Sequence, residues 1–580
     1  MNEVKPNRER FMDQIDKARG LRPVELVLRG AKYLDVFSGV WASGDIAIDG
    51  GVILGVGEAY QGQQTISLKG RWVVPGFIDS HVHIESTMMT PDGFQKAVLP
   101  RGTTSALVDP HEIANVLGLE GMEYILKCAE LSLMDFFVMA SSCVPATSDF
   151  ETAGARLSAQ DLVSLKKHPR IWGLAEMMNY PGVLFKDPEV LEKLQAYRDR
   201  PIDGHCPGLK GRDLNAYILA GPRSCHESVT RAEAAEKLRK GMQVLVREGS
   251  VAKNLKEMLP LFRDFTGPHL SLCTDDRNPL DIEDEGHLDF MLRQAIRKGV
   301  KPELAFKVAS WSTAKAYGIP NKGALAPGYD ADLVVLRDPR TVQVDRVLKK
   351  GIWIRKEKDV PPIVIAPPKG NSVRFIEPSV EDFEIREAAG VFRIIEVIPN
   401  QIITREASAQ MVPVNGCLLP DLKKDILKIA VLERHGHDEP LAKGWVHGFG
   451  MKKGALGSSV GHDSHNCVSV GTNDADMAAT FRWLKENGGG FVVISGGKIR
   501  AECPLPVAGL MTEEPLATVA KRLRALRKAY TQLGGTLAEP FLQLAFLCLP
   551  VIPELKITNK GLIDVTRFQK VGLRVEEKRS

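Results

Sequence analysis

The segment FIDSHVHIEST (77–87) places two histidines, His81 and His83, at the end of an apolar run. In an extended chain, residues i and i+2 point to the same side, so both imidazoles can face one site. Imidazole together with carboxylate suits Zn²⁺, Mn²⁺ or Fe²⁺. The spacing therefore indicates a metal site at the end of a buried strand.

Further ligand-type residues end later strand-like runs, and these are Glu176, His205, His226 and Asp275. Six protein ligands are too many for one catalytic ion that keeps an open position. They suit two ions that share a bridging carboxylate and a bridging water. Glu176 is the natural bridge because its strand lies between the others. Any one of these histidines could instead be an ordinary buried or surface group, but their joint placement favours a metal pair.

The elements that must position these ligands alternate between strand-like and helical patterns from residue 73 to 315. Eight strand candidates in about 240 residues fit a (β/α)8 barrel, whose active site lies at the carboxyl ends of its strands. The alternative is a doubly wound open sheet, and the sixth strand is the shortest. The candidates are WVVPGFI (72–78), TTSALVD (103–109), FFVMASSC (136–143), RIWGLAE (170–176), PIDGHC (201–206), RSCHE (223–227), MQVLVREG (242–249) and HLSLCTD (269–275).

The pattern outside the barrel predicts three further parts. A polar N-terminal extension (1–24) precedes short β-type runs at 25–74, and β patterning returns at 320–365, after the barrel at 75–319. A proline-rich stretch, DVPPIVIAPPKGNS, then leads into a C-terminal α/β domain at 375–580. The predicted fold class is α/β.

Length, charge and cysteine usage narrow the class of protein. The 580 residues include 76 basic and 72 acidic side chains, a near balance that does not indicate a nucleic-acid partner. The nine cysteines lack C-x-x-C spacing and fit free thiols in a reducing cytoplasm. The longest apolar run, FLQLAFLCLPVIPEL, is too short to span a membrane and is expected to be a core segment. We expect a cytoplasmic homo-oligomer, a dimer, without a membrane partner.

Two segments, PGFIDSHVHIES and KGALAPGYDADLVVL, resemble the amidohydrolase superfamily of metal-dependent hydrolases, whose members complete a composite small β-domain with strands before and after the barrel. Within it, HVHIEST, DPHEIANV, AEMMNYPGV, DGHCPGL, CHES, VREGS, CTDDR and GHDSHN are similar to bacterial adenine deaminases, over residues 25–510. Many binuclear members bridge their metals with a carboxylated lysine on strand 4. This chain has Glu176 there, which fits the adenine deaminase branch and argues against a dihydroorotase- or urease-like site.

The resemblance implies an adenine aminohydrolase that converts adenine to hypoxanthine and ammonia in purine salvage, by a metal-activated hydroxide. It implies two divalent ions per chain, Mn²⁺ or Fe²⁺, with Zn²⁺ as a further choice. The metal ligands carried over to this chain are His81, His83, Glu176, His205, His226 and Asp275. One alternative is another amidohydrolase that acts on a cyclic amide or a different nucleobase. A barrel without catalysis is the other, and such a barrel would normally lose ligands.

Within that implied reaction, Asp275 is placed to take the proton of the water and pass it toward the leaving amine. The purine ring must also be protonated, and HCPG on strand 5 lacks the H-x-x-E of mononuclear purine deaminases. Glu85 is the first candidate for this acid, although it could instead be an N-cap or the partner of a ligating histidine. His111 and Glu112 are the second candidates.

Substrate-binding candidates lie at the last strand ends and in the C-terminal part. Asp276 and the REG segment with Arg247 and Glu248 are placed to bind the purine edge, with ordinary loop hydrogen bonding as the alternative. The segment GSSVGHDSHN adds His462 and His465. It forms either a loop that closes the barrel mouth or a structural turn before a helix capped near Asp474.

Overall fold

The structure is a computed structural model that describes residues 8–399 and 401–575, so the first seven residues of the predicted N-terminal extension lie outside the described residues. Helix α1 (Arg8–Ala18) comes first and is tied to the strands behind it by Lys17, whose Nζ lies 2.9 Å from Asp49 Oδ1. Five strands follow, and they are β1 (Val24–Asp35), β2 (Val40–Asp49), β3 (Val52–Val56), β4 (Gly62–Ser67) and β5 (Trp72–Pro75).

Eight parallel strands then follow in chain order. They are β6 (Phe77–Val82), β7 (Thr103–Val108), β8 (Asp135–Ala140), β9 (Ile171–Met177), β10 (Ile202–Gly204), β11 (Ser224–Cys225), β12 (Gln243–Arg247) and β13 (Leu270–Cys273). Most are buried on both faces, as apolar strands covered by helices should be. Asp275, just after β13, forms a parallel bridge with Val82, so the sheet curls until its last strand meets its first. This curled parallel sheet agrees with the predicted barrel and not with the open sheet.

Thirteen helices accompany these strands. They are α2 (Pro91–Val98), α3 (His111–Leu117), α4 (Leu119–Leu131), α5 (Ala159–Leu165), α6 (Tyr180–Phe185), α7 (Pro188–Ala196), α8 (Gly211–Ala220), α9 (Arg231–Arg239), α10 (Leu255–Met258), α11 (Pro279–Asp284), α12 (Leu288–Arg297), α13 (Pro302–Lys307) and α14 (Thr313–Ala316). Gly118 separates α3 from α4 because its backbone has φ +60° and ψ −134°, a conformation that glycine adopts without steric cost. The helical pattern EIANVLGLEGMEYILKCAE thus forms two helices.

The strands after the barrel return to the first sheet. They are β14 (Leu333–Leu336), β15 (Val344–Lys349) and β16 (Ile352–Ile354), and the sheet order is β16-β15-β14-β5-β1-β2-β3, with β4 beside β1. β14 runs antiparallel to β5, with Val334 opposite Val74. Because β5 leads directly into β6, this pairing also fixes the start of the strand that carries His81.

The C-terminal part forms an eight-stranded sheet, a three-stranded sheet and three helices. These elements are β17 (Gly390–Val397), β18 (Thr404–Met411), β19 (Ile426–Leu432), β20 (Ala442–His447), β21 (Ala455–Ser458), β22 (Cys467–Gly471), α15 (Asp474–Glu486), β23 (Gly490–Ser495), β24 (Lys498–Pro504), α16 (Leu516–Gln532), α17 (Pro540–Phe546), β25 (Leu555–Thr558), β26 (Gly561–Asp564) and β27 (Gln569–Val571). Asn473 caps α15 by accepting a hydrogen bond from the Asp476 N–H at 2.8 Å, so the helix predicted near Asp474 is present.

The C-terminal part lies against the carboxyl-end face of the curled sheet. The backbone of Thr512 exchanges hydrogen bonds with the segment after β6, donating to Met88 O at 2.9 Å and accepting from Thr90 N at 3.3 Å. A second contact between the two parts is made by Asn466 of the C-terminal part, whose Nδ2 donates to Thr152 O at 2.9 Å. None of the helices in residues 8–399 and 401–575 combines the length and hydrophobicity that crossing a membrane requires.

Candidate active site

The carboxyl ends of β6, β9 and β13 bring four ligand atoms into one group. His81 Nε2 and His83 Nε2 lie 3.1 Å apart, and Asp275 Oδ1 lies 3.5 Å from the first and 3.1 Å from the second. Glu176 Oε1 lies 3.6 Å and 3.4 Å from the same two nitrogens. Donors bound tetrahedrally at about 2.1 Å from one ion are about 3.4 Å apart, so this group suits a metal ion.

The second oxygen of Glu176 faces a different pair of imidazoles. Its Oε2 lies 2.5 Å from His205 Nδ1 and 3.3 Å from His226 Nε2. The two ends of one carboxylate therefore face two separate ligand groups, as a bridging carboxylate must. All six predicted metal ligands converge in this way, and the most exposed of them, His205, is only 6% exposed.

Neighbouring groups orient these ligands. The backbone carbonyl of Asp109 lies 2.9 Å from His83 Nδ1, which places the proton on Nδ1 and leaves the Nε2 lone pair for a metal. The rings of His81 and His226 stack at 4.3 Å with 13° between their planes. Sequence reasoning missed Asp109, although it ends the second predicted strand.

Arg247 connects the Asp275 ligand to a second buried carboxylate. Its Nη1 donates to Asp275 Oδ2 at 2.9 Å. Both Nη atoms also donate to the Glu227 carboxylate, Nη1 to Oε1 and Nη2 to Oε2, the second at 3.1 Å. Glu227 Oε1 also lies 3.3 Å from His226 Nε2. Burial raises the pKa of Glu227, but Arg247, His205 and His226 together outweigh it and hold the pKa below its usual range. Glu227 was missed, although it directly follows His226.

Glu85 has one carboxyl oxygen in use and one free. Oε1 accepts a hydrogen bond from the Ile113 N–H at 3.1 Å, whereas Oε2 is buried and has no hydrogen-bond partner. Burial, together with the nearby Glu112 carboxylate, raises the pKa of Glu85 to about 7. A protonated, donating form of this side chain is therefore available near neutral pH.

The other predicted catalytic residues meet the predicted C-terminal histidines in one cluster. Glu112 Oε1 lies 2.8 Å from His462 Nδ1, and Glu112 Oε2 contacts His465 Nε2. His111 lies between this cluster and the metal ligands, with its Nε2 3.5 Å from Glu112 Oε1 and its Nδ1 3.7 Å from Glu176 Oε1. The GHDSHN segment thus lies beside the barrel mouth and also precedes the capped helix.

A cavity adjoins the proposed metal ligands. The barrel contributes His83, Glu176, His205, His226 and Asp275 to its wall, and the C-terminal part contributes four apolar side chains. We call these four the apolar roof, and they are Ile402, Phe546, Leu549 and Ile552. Sequence reasoning missed the apolar roof.

The predicted substrate-binding residues differ in their relation to this cavity. Asp276 lines it and accepts a hydrogen bond from Ser86 Oγ at 2.5 Å, and Arg247 lines it as well. His462 lies at a neighbouring cavity, where its ring stacks on Phe546 at 4.6 Å. Glu248 is half-buried, and its Oε2 accepts a hydrogen bond from the Leu255 N–H at 3.0 Å, a structural contact within its own loop.

Comparison with known proteins identifies the family. Residues 72–354 match the amidohydrolase family, and residues 401–569, which include the whole apolar roof, match the adenine deaminase C-terminal domain. An adenine deaminase of Brucella anthropi is 50% identical over 559 residues, which are 96% of this chain and 99% of that protein. The chain belongs to the adenine deaminase family.

Other adenine deaminases show the same degree of similarity. That of Brucella suis is 49% identical, with 96% of each chain covered, and that of Sinorhizobium fredii is 47% identical, with 97% of this chain and 99% of that protein covered. The resemblance to adenine deaminases seen in the motifs is therefore confirmed. It extends over both the barrel and the C-terminal part, so the cavity between them lies wholly inside the shared region.

Proposed function

We propose that this chain hydrolyses adenine to hypoxanthine and ammonia at a binuclear metal centre, a step of purine salvage. The observation that carries the proposal is that Glu176 directs one oxygen at each of two buried ligand groups, in a chain of the adenine deaminase family. Water supplies the oxygen of the product and the amino nitrogen leaves as ammonia, so the reaction balances without another reactant.

The donor set fits a pair of divalent ions. His81, His83 and Asp275 would hold one ion, His205 and His226 would hold the other, and Glu176 would bridge them. Imidazole and carboxylate together suit Mn²⁺ or Fe²⁺, with Zn²⁺ as the alternative. When bound, the ions supply a water whose pKa falls toward about 7, as at catalytic zinc, and which can then attack C6 of adenine.

Asp275 is the proposed proton carrier. Its Oδ2 is held by Arg247, so the carboxylate keeps one orientation while it accepts the proton of the attacking water and gives it to the leaving amine. Burial raises the pKa of Asp275, but His226, His81, His83 and Arg247 together hold it well below its usual range. An ionised carboxylate is what a base requires.

Glu85 is the proposed acid for the purine ring, with His111 and Glu112 as the second candidates. Its support is the free Oε2 and the pKa of about 7, which keeps a proton on the carboxyl group at and below neutral pH. Glu85 lines the neighbouring cavity together with Asp276, and Asp276 also lines the cavity beside the metal ligands.

The proposed base-binding site combines an apolar surface with a polar edge. The faces of a purine are apolar, so the apolar roof, and Phe546 above all, can cover adenine from the side opposite the metal ligands. Asp276 and Arg247 at the same cavity are placed to face its nitrogen-bearing edge, whereas His462 and His465 would act from farther away. Asp276 is the stronger candidate because Arg247 is already engaged by Glu227 and Asp275.

The deciding experiment compares substrates and counts metal. The Mn²⁺-loaded chain is assayed for ammonia release from adenine and guanine and for ring opening of hydantoin to its N-carbamoyl amino acid, and bound metal is measured by mass spectrometry. We expect turnover of adenine alone, lost on chelation and restored by Mn²⁺. Preferred turnover of guanine or hydantoin would favour another amidohydrolase activity, and activity that survives complete metal removal would reject the metal centre.

The wider setting concerns the domains, the location and the assembly of the chain. We propose the division into an extension (1–24), a composite β-domain (25–74 with 320–365), a catalytic barrel (75–319) and a C-terminal α/β domain (375–580). The nine free thiols support a cytoplasmic location.

A homodimer could cover Phe185 and Leu219, which are 85% and 79% exposed on the adjacent helices α6 and α8. Light scattering would test the dimer.

A further inference from the structure

Glu112, His462 and His465 form a compact ligand group of their own, which we call the Glu112 triad. Glu112 lies in the first turn of α3 on the barrel, and the two histidines lie between β21 and β22 in the C-terminal part. His462 Nδ1 lies 2.8 Å from Glu112 Oε1, and one ligand atom of each residue lies within 4.8 Å of the others. Two segments far apart in sequence therefore meet at these three side chains.

The triad is buried and has unused polar atoms. Each of its residues is at most 2% exposed. His462 Nε2 and His465 Nδ1 lack a hydrogen-bond partner, and the contact of Glu112 Oε2 with His465 Nε2 does not have normal hydrogen-bond geometry. Buried polar atoms are nearly always hydrogen-bonded or bound to an ion, so a group of this size calls for a ligand.

Two buried carboxylates at the triad have histidines as their only ion-pair partners among the described residues. Asp463 is also buried, and its Oδ1 lies 3.5 Å from His462 Nδ1. Within residues 8–399 and 401–575, the ion-pair contacts of Glu112 and Asp463 are all with histidines, and none is with a lysine or arginine. Buried carboxylates are stable when they are paired or when they bind a metal.

We propose that the Glu112 triad binds one divalent transition-metal ion, a third ion per chain in addition to the pair bridged by Glu176. Two imidazoles and one carboxylate form a ligand set that suits Zn²⁺, Mn²⁺ or Fe²⁺. The triad shares no ligand with the pair, and His111 lies between the two sites. The third ion would join the barrel to the segment that precedes α15.

The test counts metal and locates it. The purified full chain is saturated with Mn²⁺, freed of excess metal and analysed by mass spectrometry, and its crystals are examined by anomalous diffraction. We expect three equivalents per chain, with one anomalous peak among Glu112, His462 and His465. The variant His465→Gln is expected to bind two equivalents and to lose that peak while both peaks at Glu176 remain.

A matched control comes from the same region. His435 is a buried histidine that is not part of the triad. Its Nε2 lies 2.9 Å from the backbone oxygen of Ser464, a residue that lies between His462 and His465 in sequence. His435→Gln should therefore keep three equivalents. If His465→Gln fails to fold, as judged by circular dichroism, Glu112→Gln replaces it, because it removes the charge and keeps the size of the side chain.

The outcomes separate this site from the metal pair. Two metal equivalents in the wild type, with peaks only at Glu176, would reject the third site. A protonated His462 would then balance the charge of Glu112, and the proposed deaminase centre would be unaffected. A peak at the triad alone would support the third site and reject the pair. Equal metal content in the wild type and His465→Gln would also reject the third site.

Discussion

The proposed metal ligands and the apolar roof face each other across one cavity, yet they are built in different ways. The six proposed ligands stand at or just after the ends of the parallel barrel strands, which form a five-stranded and a three-stranded sheet, and hydrogen bonds such as that of His83 Nδ1 with Asp109 O fix their orientation. The roof consists of four apolar side chains from two separate segments of the C-terminal part. The groups that need fixed geometry therefore lie at the ends of regular strands.

Two buried side chains, Lys556 and Gln543, join the two segments of the roof, and Gln543 Nε2 donates to Gln401 O at 2.7 Å. Lys556 Nζ donates to Ile402 O at 2.7 Å and to Phe546 O at 2.9 Å. Lys556 itself is fully buried on β25. Whereas the proposed ligands stand at the ends of parallel strands, the roof is held by hydrogen bonds between its two segments and by packing in one small hydrophobic cluster with Met178. Damage to the two regions should therefore give different kinetic signatures.

Replacing Glu176 is expected to have the largest effect. Glu176→Gln keeps the size of the side chain but removes the charge that both ligand groups face, so adenine turnover should fall to background and at least one bound metal should be lost. Metal analysis and ammonia release measure the two effects. A variant that keeps both metals and its activity would show that Glu176 is not the bridge.

Replacing Asp275 should lower the rate of the chemical step. Because a positioned proton-transfer group typically contributes ~10²–10⁴-fold, Asp275→Asn should lower kcat by about this factor. The neighbouring variant Asp276→Asn is the matched control, and it should mainly raise KM because Asp276 is proposed to bind the base. Steady-state kinetics on metal-replete protein measures both. Full turnover by Asp275→Asn would exclude it as the proton carrier.

The roof should affect substrate binding and leave metal content unchanged. Stacking of a base on an aromatic ring contributes ~1–3 kcal/mol, so Phe546→Ala should raise KM for adenine by about 5- to 150-fold. Phe541→Ala is the control, because Phe541 lies on the same helix, α17, but lines the neighbouring cavity. Kinetics and thermal unfolding are measured for both. Equal KM increases in the two variants would mean that the roof does not contact adenine.

The same contrast explains what the sequence could predict. The convergence of the six proposed ligands could be predicted because histidine and carboxylate side chains are rare at the ends of apolar runs, and their joint placement at strand ends is specific. The roof was not recognisable, since its residues are ordinary apolar side chains. FLQLAFLCLPVIPEL was predicted to be a core segment, and its residues are largely buried, but Phe546, Leu549 and Ile552 also line the cavity. Only the three-dimensional docking of the C-terminal part reveals that second role.

The smallest expected effect concerns Lys556. Burial lowers its pKa from the ordinary 10.5 to about 7, so between these values the unfolded chain binds this proton and the folded chain does not. The free energy of unfolding should therefore rise with pH from about 7 toward 10 because of this group, and it should fall again when the pH returns to 7. Lys556→Met removes this contribution. Denaturant unfolding of both proteins at pH 7, 8 and 9 should show the stability of the wild type rising relative to that of the variant.

Lys428→Met provides the control, because Lys428 is equally buried but lies 2.5 Å from Asp474 and donates to Phe383 O, away from the roof. Its variant should not raise KM for adenine, whereas Lys556→Met frees two roof carbonyls and should raise it several-fold. A parallel pH dependence of stability in the wild type and Lys556→Met would exclude a buried, neutral Lys556. An unchanged KM in Lys556→Met would show that the roof keeps its position without this side chain, and the local hydrogen bonds would then not be what distinguishes the roof from the ligand groups.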